Sequence, residues 1–387
     1  MKLAEFYLIV NPGLEALAAQ ELKLWIPQSQ PKEEFGGVSV TLPLDQGLSL
    51  NSCLKIPTRI LLRVTQFRCR DFPKLFQKIS QFPWQDWMNP KLQVQVHVSS
   101  SKSRLNIKKR IQATAEEAFQ KFQKKRNEIL LDDKMGLYVR FHEDLCTLSL
   151  DSSGERLHKR SGEGKHIGVA PLRETLAAAM ISTLLDGLKG RFELVDPMMG
   201  SGTFFSEALL LHEVLKKSDS IQKFNVSKIA SVHPPESQHH WLKFLGYEYD
   251  EATVKVAQHN LKEQEALVSM ELLKGDVFEL GPRPASTVDR LVVCNPPYGE
   301  RIKISGSIKF YYERLFQQIE LCFSPRRACF MLPTNKIKGR LSLPKDWQIL
   351  KKFKTTNGGL SVTVYLFENL ANRKNSWLPS PPSKDEA

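Results

Sequence analysis

The chain lacks the marks of several protein classes. No run of 18 apolar residues occurs in its 387 residues, so a membrane-spanning helix is not expected. The N-terminus, MKLAEFYLIVNPG, has an acid inside its short apolar stretch and no small-residue cleavage site. A secretory leader is therefore not expected either. The six cysteines, Cys53, Cys69, Cys146, Cys294, Cys322 and Cys329, are scattered with no Cys-x-x-Cys pair. That usage fits reduced thiols in a cytoplasmic protein and supplies no zinc framework. His233, His239 and His240 cluster in a polar stretch without ligand spacing, so surface histidines are expected and no metal site. There is no internal repeat.

Acidic residues are scarce in one segment only. Residues 51–126 hold 17 Lys/Arg against 4 Asp/Glu, a surplus of 13 that equals the net charge of the whole chain. The densest part is KSRLNIKKR, Lys102 to Arg110, followed by Lys121, Lys124, Lys125 and Arg126. A localised basic surplus is the footprint of a polyanion-binding surface.

Periodicity divides the chain into two parts. Residues 1–150 read as mixed α+β. Phe6–Val10, Val38–Leu42, Arg59–Gln66 and Leu92–Val98 carry strand patterns, as do Gly136–Phe141 and Leu145–Leu150. Leu14–Trp25, with Asn11 as its expected cap, Phe72–Gln81 and Ile107–Arg126 read as helices. A Gly- and Ser-rich stretch, Asp151 to Gly168, reads as a linker. Pro171 then opens a helix, and strands alternate with helices: Phe192–Val195, Phe204–Lys216, Leu242–Glu248, Ala252–Gln264, Met270–Leu273, Leu291–Cys294, Phe310–Cys322 and Ala328–Leu332. Alternation of this kind implies an α/β fold with a doubly wound, mostly parallel sheet. Leu350–Thr355 and Ser361–Phe367 flank Asn357-Gly358-Gly359, a hairpin signal that adds an antiparallel edge strand. The tail from Asn372 is polar and proline-rich, a composition expected to be disordered.

Chemistry-bearing residues fall at expected strand ends. Asp196-Pro197-Met198-Met199-Gly200-Ser201-Gly202-Thr203 lies between a strand and a helix. It is no P-loop, because no Gly-Lys-Ser/Thr follows, and Phe205 stands where a dinucleotide fingerprint needs a third glycine. Asp196 before a glycine turn suits a ligand with a cationic amino acid end. Glu248 ends the next strand, where an acid binds ribose hydroxyls. It lies farther along the chain than usual because a polar insert spans about Lys216 to His240. Asp250 competes for that role but suits the cap of the next helix better. Asp276 ends the third strand and can accept from an adenine amino group. Three acids at successive strand ends, with the glycine turn, point to S-adenosylmethionine.

Asn295-Pro296-Pro297-Tyr298 follows the apolar run Leu291–Cys294. Amide and proline carbonyls can accept hydrogen bonds from an exocyclic NH2, a tyrosine ring can stack on a base, and two prolines hold the backbone rigid. The bland alternative is a Pro-rich turn.

DPMMGSGT and NPPYGER, with SGERLHKR and APLRETLAAAM upstream, resemble the THUMP-containing RNA guanine-N2 methyltransferases, and in particular the bacterial RlmL/YpsC-like 23S rRNA enzymes. NPGLEALAAQELK resembles that family's opening segment, and SSSKSRLNIKKRIQ its THUMP module. Met199 stands where the family has cysteine, Glu248 where aspartate is common, and Ser161-Gly162-Glu163 where Gly-Tyr-Arg is usual. The resemblance implies a ferredoxin-like segment over 1–55 and a THUMP RNA-binding domain over 56–155. A linker over 156–170, a Rossmann-like methyltransferase domain over 171–371 and a disordered tail over 372–387 follow. It implies cofactor contacts from Asp196, Met198, Gly200, Gly202, Thr203, Glu248, Asp276, Val277 and Asn295. Asn295, Pro296, Pro297 and Tyr298 would hold the target base. Lys102, Arg104, Lys108, Lys109 and Arg110 would bind RNA. Methylation of guanine N2 in structured RNA, most of all 23S rRNA, is the expectation. The alternatives are a tRNA guanine-N2 enzyme, a DNA adenine-N6 or protein glutamine methyltransferase, and a non-catalytic RNA-binding assembly factor. No membrane partner and no metal are expected, and the sequence leaves the oligomeric state open.

Overall fold

A computed structural model describes residues 2–126, 129–160, 172–215, 219–299, 306–337 and 339–372. The chain divides into two units. One comprises Met1–Arg160 with His212–Pro235, the other Ser161–Leu211 with Glu236–Ala387.

The first unit runs β1 (Leu3–Ile9), α1 (Glu15–Trp25), β2 (Lys32–Glu34), β3 (Gly37–Pro43), α2 (Leu44–Ser49), β4 (Arg59–Arg68), α3 (Phe72–Ser80), β5 (Gln93–Ser101), α4 (Lys108–Lys124), β6 (Lys134–His142) and β7 (Leu145–Asp151). Its seven strands form one sheet in the order β2-β3-β1-β4-β7-β6-β5. Among the described residues of this sheet, only β5 and β6 pair in parallel. The boundary expected at residue 55 does not divide this sheet, because β1 pairs with β4 from Glu5↔Arg63 to Ile9↔Arg59. Asp71 caps α3 by accepting from Lys74 N–H. Asn11 is not the side-chain cap of α1. Glu15, in the first turn of that helix, instead accepts from Gly13 and Gly36 N–H, and so ties the helix start to the β2–β3 turn.

Residues 212–235 overlap the polar insert, about Lys216 to His240, that was expected within the second domain. They group with the first unit, and the bonds show why. The buried Lys55 ammonium donates to Glu213 O, and Leu215 N–H donates to Ser52 O. Asn89 N–H donates to Lys223 O, Asn225 N–H to Trp87 O, and Ile221 and Phe224 are buried.

The second unit runs α5 (Glu174–Leu185), β8 (Gly190–Asp196), α6 (Thr203–Leu210), β9 (His239–Glu248), α7 (Glu251–Leu261), β10 (Ser269–Lys274), β11 (Asp289–Cys294), α8 (Ile308–Phe323), β12 (Arg327–Pro333), β13 (Trp347–Asn357) and β14 (Leu360–Asn369). The sheet order is β10-β9-β8-β11-β12-β14-β13. The first five strands are parallel, and β14 pairs antiparallel with both β12 and β13. This is the doubly wound sheet that alternation implies, closed by an antiparallel hairpin. Gly358 and Gly359 turn that hairpin with φ of +59° and +88°. Tyr312, Phe316 and Phe323 of α8 pack with Phe330 of β12 and Phe367 of β14 in the core.

Three boundaries differ from expectation. Helix α6 stops at Leu210, short of Lys216, because the chain leaves for the first unit. His239 and His240 lie in β9 rather than in a loop. The helix expected from Pro171 begins at Glu174. Pro171 itself, residues 161–170 of the linker and residues 373–387 of the tail lie outside the described residues.

Candidate active site

Strand order places the site. From β8 the chain builds outward through β9 and β10, then returns to lay β11 on the other side of β8. Ligands of open α/β sheets bind at the carboxyl ends of strands at such a reversal. Asp196 ends β8 and Asn295 follows β11, so the two expected motifs flank one crevice.

Asp196 is 1% exposed. Its Oδ1 accepts from Met198 N–H at 3.1 Å, and its Oδ2 has no hydrogen-bond partner. Burial pushes the carboxyl well above the usual aspartate range. The Met198 N–H pulls the other way, and Glu248 adds repulsion. A buried acceptor without a donor is costly unless a ligand satisfies it. An ammonium or N–H donor is what Oδ2 can take.

The glycine turn is shaped by its neighbours. Gly200 and Gly202 have φ of +53° and +82°, a region other residues avoid. A Cβ on Gly202 would come within 2.7 Å of Leu261 Cδ1, whereas nothing lies within 4 Å of one on Gly200. Met199 N–H donates to Tyr247 O, and Asn260 Nδ2 to Ser201 O. Met199 is buried and holds the turn through its backbone, so the exchange from cysteine leaves the turn intact. Thr203 begins α6 and is buried. Phe205, in place of the third fingerprint glycine, stacks on Phe244 with ring centroids 5.0 Å apart.

The other acids differ from Asp196. Glu248 accepts from Gly200 N–H at 3.1 Å and from Asp250 N–H at 3.2 Å, which clamps two strand-end loops together. Asp250 caps α7 through Thr253 N–H, as expected. Asp276 caps the turn Val277–Glu279 through Phe278 N–H. The Val277 side chain is buried in the core, and Met198 packs at the core's edge with Tyr311 OH 3.9 Å from its sulfur.

NPPY is held by one internal bond and by three residues from outside it. Tyr298 OH donates to Asn295 Oδ1 at 2.5 Å, and Asn357 Nδ2 donates to Tyr298 OH at 3.3 Å. Tyr312 OH donates to Pro297 O at 2.8 Å, and Lys336 Nζ to Tyr298 O at 3.1 Å. Burial pushes the Tyr298 hydroxyl above the usual tyrosine range, so it stays a donor at neutral pH. Asn357, Tyr312 and Lys336 were missed by sequence reasoning. Asn357 registered only as a hairpin residue, and nothing in a local pattern links it to Tyr298.

The expected RNA-contacting residues fall on two neighbouring stretches, a loop and a helix start. Lys102 and Arg104 lie exposed between β5 and α4. Lys108, Lys109 and Arg110 form the exposed first turn of α4, where the Arg110 guanidinium stacks 4.1 Å from the centre of the Phe72 ring.

Residues 164–364 match a family model described as "RMKL-like, methyltransferase domain". The chain belongs to the RMKL-like methyltransferase family. Residues 69–151 match the THUMP domain model. A Synechocystis protein, slr0064, described as an RNA methyltransferase, is 25% identical over 94% of this chain and 96% of its own length. The ribosomal RNA large subunit methyltransferase K/L of Photobacterium profundum is 27% identical over 93% of this chain, which spans 52% of that protein. Among solved structures, SMU.472, described as a methyltransferase and complexed with SAH, superposes with a TM-score of 0.76. That match covers 95% of this chain and 99% of that one at 21% identity. The chain spans about half the length of the K/L relatives it matches.

Among the described residues, no helix is long and apolar enough to cross a membrane.

Proposed function

We propose that this RMKL-like chain transfers a methyl group from S-adenosylmethionine to the exocyclic N2 of a guanine in structured RNA, with 23S rRNA the leading substrate. The observation that carries the reading is the unpartnered, buried Asp196 Oδ2 across the crevice from a braced NPPY. The residues fit the cofactor. Asp196 would take its ammonium end, Gly200 leaves open space beside the turn, and Glu248 and Asp276 stand at the next two strand ends. When bound, that cofactor supplies an electrophilic methyl on a sulfonium.

This chain's own residues do the rest. A base must leave its stack to reach the crevice. Asn295 Oδ1 has a second lone pair beyond the one used by Tyr298, and with the Pro296 carbonyl it would accept from the target amine. These acceptors orient the nitrogen lone pair and stabilise its growing positive charge. Fixing that geometry in advance can contribute up to about 7–11 kcal/mol. The half-buried Tyr298 ring offers a stacking surface. Lys102, Arg104, Lys108, Lys109 and Arg110 would grip phosphates, which sets position and salt dependence rather than base identity.

The test is Asn295→Ala. Methyl transfer to protein-free 23S rRNA should fall roughly 100- to 1000-fold, while calorimetric cofactor affinity and RNA affinity persist. Retained turnover removes Asn295 from the reaction. Mass spectrometry of the wild-type product decides the base, since N2-methylguanosine supports the reading and N6-methyladenosine overturns it. Methyl incorporation into tRNA or duplex DNA instead of rRNA would reassign the substrate.

A further inference from the structure

Backbone strain in the first unit is concentrated at one end of its sheet. Among the described residues, four that are not glycine have left-handed backbones, and three of them, Lys102, Glu143 and Asp144, meet here with φ of +48°, +50° and +59°. Glu143 and Asp144 form the two-residue turn between β6 and β7, where His142 pairs with Leu145. Both central positions of such a turn need positive φ, and Asn-Gly is the usual solution. Glu-Asp is not, so something outside the turn holds it there.

The bonds of Asp144 show what. Its Oδ1 accepts from Arg104 N–H at 2.8 Å, and its Oδ2 accepts from Arg70 Nε at 2.7 Å. Its own N–H donates to Ser103 Oγ at 3.0 Å, and its carbonyl accepts from Cys69 N–H at 2.9 Å. Ser103 Oγ donates in turn to Ser101 O, and Glu143 N–H reaches Ser101 O. One acidic residue thus gathers two separate basic loops, 69–71 and 101–104. The Arg104 N–H, followed by Arg70, holds the Asp144 carboxyl below the usual aspartate range. Arg70, Lys102 and Arg104 are exposed around it.

We infer that Asp144 is a positioning residue for an RNA phosphate-binding surface formed by Arg70, Lys102 and Arg104. Arg70 adds a cation from a different loop to the basic stretch. The inference rests on the RNA-binding part of the proposed function and goes beyond it in naming what shapes the surface. It runs against simple electrostatics. Removing an acid from a surface that binds a polyanion should tighten binding by reducing repulsion. If Asp144 shapes the surface, removing it loosens binding.

Asp144→Asn is the decisive variant, because asparagine tolerates the left-handed region and keeps the turn. It retains an acceptor for Arg104 N–H and loses the ionic acceptor for Arg70. With the full chain and a labelled RNA stem-loop, affinity should fall about five-fold or more, and Arg70→Ala should add little in the Asp144→Asn background. Arg70→Ala alone should lower the slope of log affinity against log salt by roughly 0.7–0.9. Glu143→Gly relieves strain and releases Lys102 from its ion pair with Glu143 at 3.8 Å while leaving the Asp144 bonds in place. It should therefore bind RNA at least as tightly as the wild type, and calorimetric cofactor affinity should be unchanged in Asp144→Asn. Equal or tighter RNA binding by Asp144→Asn overturns the inference, as does an unaltered salt slope in Arg70→Ala. Failure of the wild-type chain to bind the stem-loop would instead overturn the RNA reading itself.

Discussion

Each unit is built on seven strands and buries an aspartate, yet the two aspartates are held in opposite ways. In the first unit the aspartate, like other acids on its sheet, is matched to a cation. Asp151 pairs with Arg59, and Glu5 and Glu34 pair with Arg63. In the second, Asp196 is buried with one oxygen unpartnered and no cation beside it. The first arrangement uses its charge for cohesion. The second holds an acid that folding alone does not satisfy. A partnered acid marks scaffold, and an unpartnered one marks a place for a ligand.

The contrast predicts which property each substitution damages. The largest effect is expected from Asp196→Ala, which should weaken S-adenosylmethionine binding about 100-fold by calorimetry and leave RNA affinity intact. Asp151→Ala should do the reverse. It leaves the half-buried Arg59 with the Gly154 carbonyl alone and removes the acceptor of Ser153 and Gly154 N–H. It should destabilise the first unit by roughly 1–3 kcal/mol in denaturant unfolding, with cofactor affinity unchanged. Tyr298→Phe and Asn357→Ala should each lower kcat by about ten-fold without changing cofactor affinity. The double variant should be no worse than Tyr298→Phe, since Asn357 acts through that hydroxyl. Full additivity of the two would break the relay.

The smallest effect concerns pH. The folded Asp196 carboxyl titrates above the ordinary aspartate value of 3.8. Its neutral form is therefore favoured by folding, and stability drains away as pH rises from 3.8 through the raised folded value. Asp196→Asn lacks that loss. Its thermal midpoint without cofactor should exceed the wild type's by about 2–4 °C at neutral pH, and the gap should close as pH falls toward 3.8. A gap that persists in acid would mean that charge burial is not the cause.

Much of the second unit was legible because it is written in short-range patterns. The apolar run Leu291–Cys294 is a buried strand, and a motif directly after such a strand has only one place to go. The glycine turn was equally readable, since Gly200 and Gly202 announce unusual backbone by residue type alone. What failed was long-range. Helix α6 stops early because Glu213 and Leu215 are bound to Lys55 and Ser52, about 160 residues away in sequence. Those bonds override local helix preference. Asn357 reaches Tyr298 across 59 positions, and no periodicity carries that. In the first unit the charge surplus of residues 51–126 led to the expectation of a polyanion surface, but not to Asp144. Asp144 lies outside that segment, and its bonds to Arg70 and Arg104 are long-range geometry that charge counting does not carry.

The excursion of residues 212–235 has a consequence for inheritance and for engineering. The chain passes between the units at three places, near residues 160, 211 and 235. No single cut separates the two units. A fragment beginning at residue 171 would carry Ile221 and Phe224 without the neighbours that bury them, exposing about 1.5–3 kcal/mol of apolar surface for each. The two units are therefore spliced, not concatenated, and the first can be exchanged only by replacing both of its segments together.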